Sequence, residues 1–296
     1  MVETEHLSVS IVIVNFFSHR LIVELLQSIH IVDYSKIVVV DNSNDITEWA
    51  GLTTALSDFP VDTISMSSNV GFGAAVNEGV RSLNLDQDDF LWILNPDTIP
   101  TRNAGLDLAR FMVASDFDLA SPVLMTGEES ESVWFSGGYF DHNFGRTVHS
   151  VKVQDLDSSH SFLTAAAMMM RRRNWDKLVG FREDLFMYWE DADLCIRAQS
   201  LGFRLGVASD VIVWHAVGAT SSSSGRSRLF HYYMQRNRII VLRELFGTRY
   251  LCGWKRIAES LKLLRRAAIE NDGRLGKVHH SLKGIRDGIL DRRGSL

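Results

Sequence analysis

Two short runs of β-branched apolar residues, Ser10 to Asn15 (SIVIVN) and Lys36 to Asp41 (KIVVVD), each end in a polar residue. Between them, Leu21 to Ile31 places its apolar residues at helical spacing, so the opening reads as strand, helix, strand. A helix-like segment from Gly73 to Leu83 leads to a third run, Phe90 to Asn95 (FLWILN). Strands without apolar/polar alternation belong in a sheet covered on both faces, and their alternation with helices predicts a parallel one. Ligands of such sheets bind beyond the carboxyl ends of the strands, which here deliver Asn15, Asp41, Asn95 and Asp97.

The second half begins less regularly, with Gly137, Gly138 and Gly145 punctuating a loop-rich stretch before the apolar segment Phe162 to Met170. Leu194, Cys195, Ala198 and Leu201 then fall at helical spacing, and Gly202 can stop that helix. Glu190 and Asp191 lie in or just before its first turn, where the helix dipole favours carboxylates. A further strand, Val207 to Trp214, ends at His215 and runs into GATSSSSGRSR, whose Gly and Ser content predicts a mobile loop. The chain shows no internal repeat.

At 296 residues, 46% hydrophobic and 23% charged, the chain has the composition of an ordinary globular protein, and disordered or collagen-like classes are excluded. That length buries enough surface to fold without disulfides or a structural metal, so any metal would serve chemistry. Cys195 and Cys252 are too few for a disulfide framework and lack zinc-site spacing, which points to a reducing, cytoplasmic setting. No apolar run approaches the roughly 20 residues of a membrane span, and the acidic N-terminus is unlike a signal peptide. Charge changes the picture more. Residues 249–296 carry twelve Lys or Arg against five Asp or Glu, a net of +7, leaving −12 on the preceding 248 within a total of −5. Such asymmetry suggests an acidic catalytic body with a basic appendage aimed at an anionic surface, and argues against nucleic acid as partner of the body.

Three common motifs fail. GFGAAV at Gly71 to Val76 lacks the third glycine of a dinucleotide fingerprint, and neither GxxxxGK[ST] nor GxSxG occurs. The polar residues left are Asp41, Asn69, Asn77, Asn95, Asp97, Asp191 and His215. Asp97, in Asn95-Pro96-Asp97, suits an oxygen ligand for Mg²⁺ or Mn²⁺ on a diphosphate, and equally a turn. His215 alone is more often a packed histidine than a ligand. Glu190 and Asp191 form either a carboxylate pair with one general base or simply an acidic helix start. Phe186, Tyr188 and Trp189 either stack on a sugar ring or belong to the core, and Met168 to Met170 reads as buried packing.

In order, SIVIVNF, VVVDNSND, NVGFGAAVNEG, LWILNPD, FMYWEDADLCIRAQSLGFRL, VWHAVGATS and YYMQRN resemble the inverting family 2 glycosyltransferases of the GT-A fold, particularly their rhamnosyltransferase-like branch. They span nearly residues 8 to 240. The resemblance implies an α/β, Rossmann-like, mostly parallel sheet flanked by helices as a catalytic domain over 1–248, with 249–296 a basic amphipathic helical extension. It implies that Val14, Asn15 and Asp41 hold the nucleoside, that Asn69, Gly71, Phe72, Asn77 and Asn95 line the donor pocket, and that Arg236, with Asn237, lies near the diphosphate. Asp97 resembles the last acidic residue of the metal-binding DXD motif, with His215 the second protein ligand for Mg²⁺ or Mn²⁺. Asp191 matches the usual base, with Trp189 and Glu190 on the acceptor side. The implied donor is a dTDP- or UDP-sugar, first L-rhamnose, and the acceptor a glycan or lipid-linked glycan.

Three departures stand out: Ala165-Ala166 replaces the family's Gly-Ala, Arg182 replaces an Asp, and Asp41 to Asp45 is one residue shorter than DNxSxD. The competing classes are a sugar-nucleotide or glycan-binding protein without catalysis, and a sugar nucleotidyltransferase, whose glycine-rich phosphate loop is missing from Asn15 to Arg20. In 249–296, Trp254, Ile257, Leu261, Leu264 and Ala268 form an apolar stripe with Lys255, Arg256, Lys262, Arg265 and Arg266 around it. That pattern fits a helix docked on the body or in an oligomer interface, and fits equally a helix lying on a membrane surface.

Overall fold

The computed structural model describes residues 7–127, 132–152, 161–216, 226–270 and 272–296. The chain runs β1 (Val9–Asn15), α1 (His19–Ser28), β2 (Lys36–Asp41), α2 (Ile46–Ala55), β3 (Asp62–Ser65), α3 (Phe72–Ser82), β4 (Phe90–Leu94), β5 (Thr98–Pro100), α4 (Ala104–Ser115) and β6 (Leu119–Thr126). It continues through β7 (Ser132–Phe135), β8 (Gly138–Asp141), β9 (Arg146–His149), β10 (Ser161–Phe162), β11 (Ala167–Arg171), α5 (Arg172–Leu178), α6 (Glu190–Ser200) and β12 (Leu205–His215). Four helices close it: α7 (Arg228–Phe246), α8 (Thr248–Leu251), α9 (Trp254–Ile269) and α10 (Arg274–Ile289).

Among the described residues the main sheet has the order β3-β2-β1-β4-β11-β6-β12-β5, with β7 paired to β6, and β10-β8-β9 form a small second sheet. β3, β2, β1 and β4 are parallel, and β6 and β12 run the same way. The direction is broken where β11 inserts antiparallel between β4 and β6. The apolar run Phe162 to Met170 therefore supplies an inner strand. Its Met168, Met169 and Met170 are fully buried, as the packing reading expects. β1, β2 and β4 are covered on both faces, each fully buried Val, Ile or Leu contributing about 1.5–3 kcal/mol. The carboxyl ends of β1, β2, β4 and β12 consequently share one edge, and loops from that edge carry Asn15, Asp41, Asn95 and His215.

Helix bounds differ little from expectation, except that Leu21 to Ile31 splits into α1 and a 3₁₀ turn at Ile31–Asp33. Residues Gly218 to Gly225 of the Gly/Ser stretch lie outside the described residues.

The basic C-terminal stretch forms α9 and α10, which pack on α7. α9 docks by its polar side. Glu259, buried, takes Arg146 at 3.2 Å, and Ser260 takes Gln235 at 2.9 Å and Arg238 at 3.0 Å. The apolar stripe faces outward, the reverse of the usual pattern for a helix held on a domain.

Candidate active site

The shared strand edge opens into a cavity of about 680 Å³. One wall comes from strand ends and the loops after them: Val14, Phe16, Asn42, Asn95 and Asp97. A second is the start of α3 with Asn69, Gly71 and Phe72, and a third is Phe186 to Ala192 at the start of α6. Trp134 and His149 from the small strands, and Phe230 and Tyr233 from α7, close the remainder.

Of the residues singled out from sequence, Val14, Asn69, Gly71, Phe72, Asn95, Asp97, Trp189, Glu190 and Asp191 line this cavity, whereas Asn15, Asp41, Asn77, His215 and Arg236 do not. The latter stand behind it. Asn15, fully buried, donates to Asp41 and Glu48 at 2.9 Å each and accepts from the Ser18 amide at 3.0 Å, which shapes the loop carrying Phe16. Asp41 accepts from the Ser43 hydroxyl at 3.0 Å. Its neighbour Asn42 reaches the cavity instead, donating to Asn69 Oδ1 at 3.0 Å and accepting from the Val70 amide at 2.9 Å. Asn77 holds both the amide and the carbonyl of Phe181.

Gly71 explains how the two sides of the cavity meet. Its φ is +88°, and a Cβ there would lie 2.2 Å from the Phe186 carbonyl oxygen. Only glycine allows that approach, and the next amide, Phe72, donates to the same oxygen at 2.8 Å.

The segment before α6 is strained. Phe186, Tyr188 and Trp189 all have positive φ, at 68°, 64° and 74°, conformations costing roughly 1–3 kcal/mol apiece for such side chains. A buried clamp from α7 holds them. Asn237 Nδ2 donates to the carbonyls of Leu185, Met187 and Tyr188 at 2.9, 2.8 and 2.8 Å. Arg236 Nη2 adds a bond to Leu185 O at 2.7 Å, and Arg236 Nε donates to Asn237 Oδ1 at 2.8 Å. Tyr233 stacks on Phe186 with centroids 5.1 Å apart. Arg236, expected near a diphosphate, is fully buried and spends its guanidinium on this clamp and on the Gly294 carbonyl. Arg182, the departure from the family pattern, pairs with Asp184 at 2.7 Å and with Glu244 of α7, and so ties the same segment down.

The strain delivers two carboxyl groups to the first turn of α6. Burial raises the pKa of both. For Glu190 the Asp191 charge raises it further, and among the described residues its buried Oε2 has no hydrogen-bond partner. Asp191 is partly relieved: it accepts from the Ala192 amide at 2.8 Å and is stabilised by the Ala165 amide. Burial thus disfavours charge on both members of the pair, and the backbone amides at Asp191 favour its ionised form.

Asp97 sits inside the turn that Thr98 closes on Asn95 O, by its amide at 3.2 Å and its hydroxyl at 2.7 Å. Asn95-Pro96-Asp97 is thus a turn, and it lines the cavity. Because β5 pairs with β12 through Thr98 and His215, the His215 ring comes beside Asp97, Nε2 to Oδ1 at 3.2 Å. His215 Nδ1 is buried without a hydrogen-bond partner among the described residues, and Trp134 packs edge-on against the ring at 4.7 Å. One carboxylate and one imidazole are a donor pair that would suit a divalent cation. Among the described residues no group of three or more His, Cys, Asp or Glu side chains assembles such a site by itself.

Asn42, Trp134 and His149 line the cavity without having been singled out from sequence. Asn42 is adjacent to the residue selected, and Trp134 and His149 lie on short strands with no periodic signal.

The family described as "Glycosyltransferase like family 2" matches residues 6–240. The low-salt glycan biosynthesis hexosyltransferase Agl10 of Haloferax volcanii is 25% identical over 251 residues, 80% of this chain and 76% of the relative. The rhamnosyltransferase WbbL of Escherichia coli K12 is 26% identical over 221 residues, 67% of this chain and 79% of the relative. Among solved structures, the mannosyltransferase PcManGT of Pyrobaculum calidifontis, in complex with GDP-Man and Mn²⁺, superposes with a TM-score of 0.60 at 12% identity, covering 96% of this chain and 87% of that one.

Proposed function

The chain belongs to the family 2-like glycosyltransferases, and on that premise we propose an inverting hexosyl transfer from a nucleotide diphosphate sugar to a glycan or lipid-linked acceptor. The observation that carries the reading is the placement, around one cavity, of the Asp97 strand end and of the Glu190/Asp191 carboxyl pair in the first turn of α6. Asp191 takes the proton of an acceptor hydroxyl. That oxygen forms its bond to the anomeric carbon while the bond to the diphosphate breaks on the opposite face, so configuration inverts. Val14, Phe16 and Asn42 receive the nucleoside, with Asn15 and Asp41 shaping their loop, and Trp189 and Glu190 face the acceptor. Asp97 and His215 would hold Mg²⁺ or Mn²⁺, which would supply charge neutralisation for the leaving diphosphate.

L-Rhamnose from dTDP, with UDP-sugars next, is the donor we propose, and a rhamnosyltransferase among the relatives supports it. The proposal also divides the chain into a catalytic body over 1–248 and a docked helical extension over 249–296, in a cytoplasmic setting that suits two free cysteines. No helix among the described residues is long and apolar enough to cross a membrane.

A thermal-shift panel of dTDP, UDP and GDP, with and without Mg²⁺ or Mn²⁺, tests the donor half, since ligands of the native state raise apparent stability. Metal-dependent stabilisation by one nucleoside diphosphate is expected, followed by turnover of its sugar with anomeric inversion. Binding without turnover of any donor and acceptor pair would return the chain to the sugar-nucleotide-binding reading.

A further inference from the structure

The outward face of α9 is apolar and cationic at once. Trp254 is 72% exposed, Ile257 50%, Leu261 58% and Ile269 62%, aligned on one side of a helix that is held to the body by its polar side. Burying an apolar stripe is the usual reason for a helix to dock, so a stripe left outside is costly unless something covers it. Lys262, Arg265 and Arg266 flank the stripe and are exposed. Of the carboxylates near it, Glu259 is buried and pairs with Arg146 at 3.2 Å and with Lys262 at 3.5 Å, and Glu270, just past the helix, is occupied by His231 and Lys277. The face therefore presents cations and apolar groups, with a tryptophan at one end.

We propose that α9 lies on an anionic lipid surface, its stripe entering the headgroup boundary and its Lys and Arg meeting lipid phosphates. A second copy of this chain is the weaker occupant, because a two-fold contact along α9 would set each cationic flank against its own equivalent. The site's position agrees with the lipid choice. At the end of α9, Glu270 accepts from the Arg226 amide at 3.2 Å and from His231 at 3.2 Å, and Leu229 and Phe230 between them line the cavity. Docking along α9 thus sets this wall of the cavity beside the bilayer, which, granted the transferase reading, makes the acceptor a lipid-linked one.

The test is sedimentation of the full chain with vesicles of phosphatidylcholine alone and of phosphatidylcholine mixed with phosphatidylglycerol, at low and high salt. The expected result is binding to the mixed vesicles that weakens with salt. Arg265→Glu with Arg266→Glu should weaken it by about twenty-five-fold or more, from about fivefold per basic residue near a charged bilayer. Trp254→Ser with Ile257→Ser and Leu261→Ser should weaken it by about tenfold or more. All five positions are exposed, so circular dichroism and nucleotide-induced thermal shifts should match the parent. Failure of the parent chain to bind mixed vesicles, or undiminished binding by both variants, overturns the proposal. So does a parent dimer that the serine variant dissociates without any lipid binding. None of these readouts needs turnover, so their failure is separate from failure of the transferase assignment.

Discussion

Replacing Asn237 by Ala should damage the active site from outside it. In the native arrangement the two N–H bonds of its amide serve three carbonyls. The Leu185 carbonyl would keep Arg236, while those of Met187 and Tyr188 would lose their side-chain donor. An unsatisfied buried carbonyl costs about 1–3 kcal/mol. Both contacts are only partly buried, so the lower half of that range applies, about 2–4 kcal/mol for the pair. At about 2 °C per kcal/mol for a chain of this size, Tm should fall by about 4–8 °C. The larger effect should be on catalysis, because the released segment holds three left-handed residues and leads directly into Asp191. A displacement of about 1 Å at a reacting group costs on the order of a hundredfold in rate, so kcat should drop by that factor while KM for the donor changes little. Asn237→Asp is the sharper variant. It keeps the volume and the acceptor for Arg236 but cannot donate, and should be at least as damaging as Ala. The assay is steady-state transfer with saturating donor, alongside thermal unfolding. Parent-like kcat and Tm in Asn237→Asp would refute the clamp.

Asp191→Asn should abolish turnover while leaving calorimetric binding of the donor nucleotide intact, and retained turnover would remove Asp191 from the base role. Because burial raises the Asp191 pKa, kcat should rise with pH along a limb lying above the ordinary carboxylate range near ~4, and an acid limb at that ordinary value would contradict the assignment. Glu190 is also raised, so the stability contributed by its buried proton is full only below the ordinary carboxyl pKa near ~4.3 and is lost progressively as pH climbs to the folded pKa; Glu190→Gln should therefore match the parent in urea titrations near pH ~4 and gain stability over it at neutral and alkaline pH. Gly71→Ala, which combines a positive φ with a Cβ driven into Phe186 O, should cost about 3 kcal/mol or more by the same titrations, and a parent-like midpoint would show that the contact can relax.

What the sequence made legible follows from how each feature is encoded. β1, β2 and β4 announce themselves because strands covered on both faces are apolar without interruption, and their polar last residues mark the ligand edge. The first turn of α6 is equally plain, since carboxylates at a helix start are locally written. Arg236 shows the opposite case. Its place in a motif identified it as important but not what it touches, and the segment it holds lies about fifty residues earlier in the chain. In the sequence Asp97 and His215 are joined only through the family resemblance, because the strand pairing that brings them together, β5 crossing to β12, is not written in either segment.

α9 carries this reasoning one step further. Its stripe at spacing three and four predicts an amphipathic helix correctly, and the apolar moment would place that stripe against the body. What reverses it is the face of α7 to which it docks, where Gln235 and Arg238 are buried and need partners. Leaving donors such as these unbonded would cost about 1–3 kcal/mol each, and Ser260, with the backbone of α9, accepts from Gln235 Nε2 and from Arg238. Once the polar side is claimed by the body, the stripe has to face out. Direction on the surface is therefore set by buried polar demand in a different helix, which no periodicity within 254–269 could have revealed.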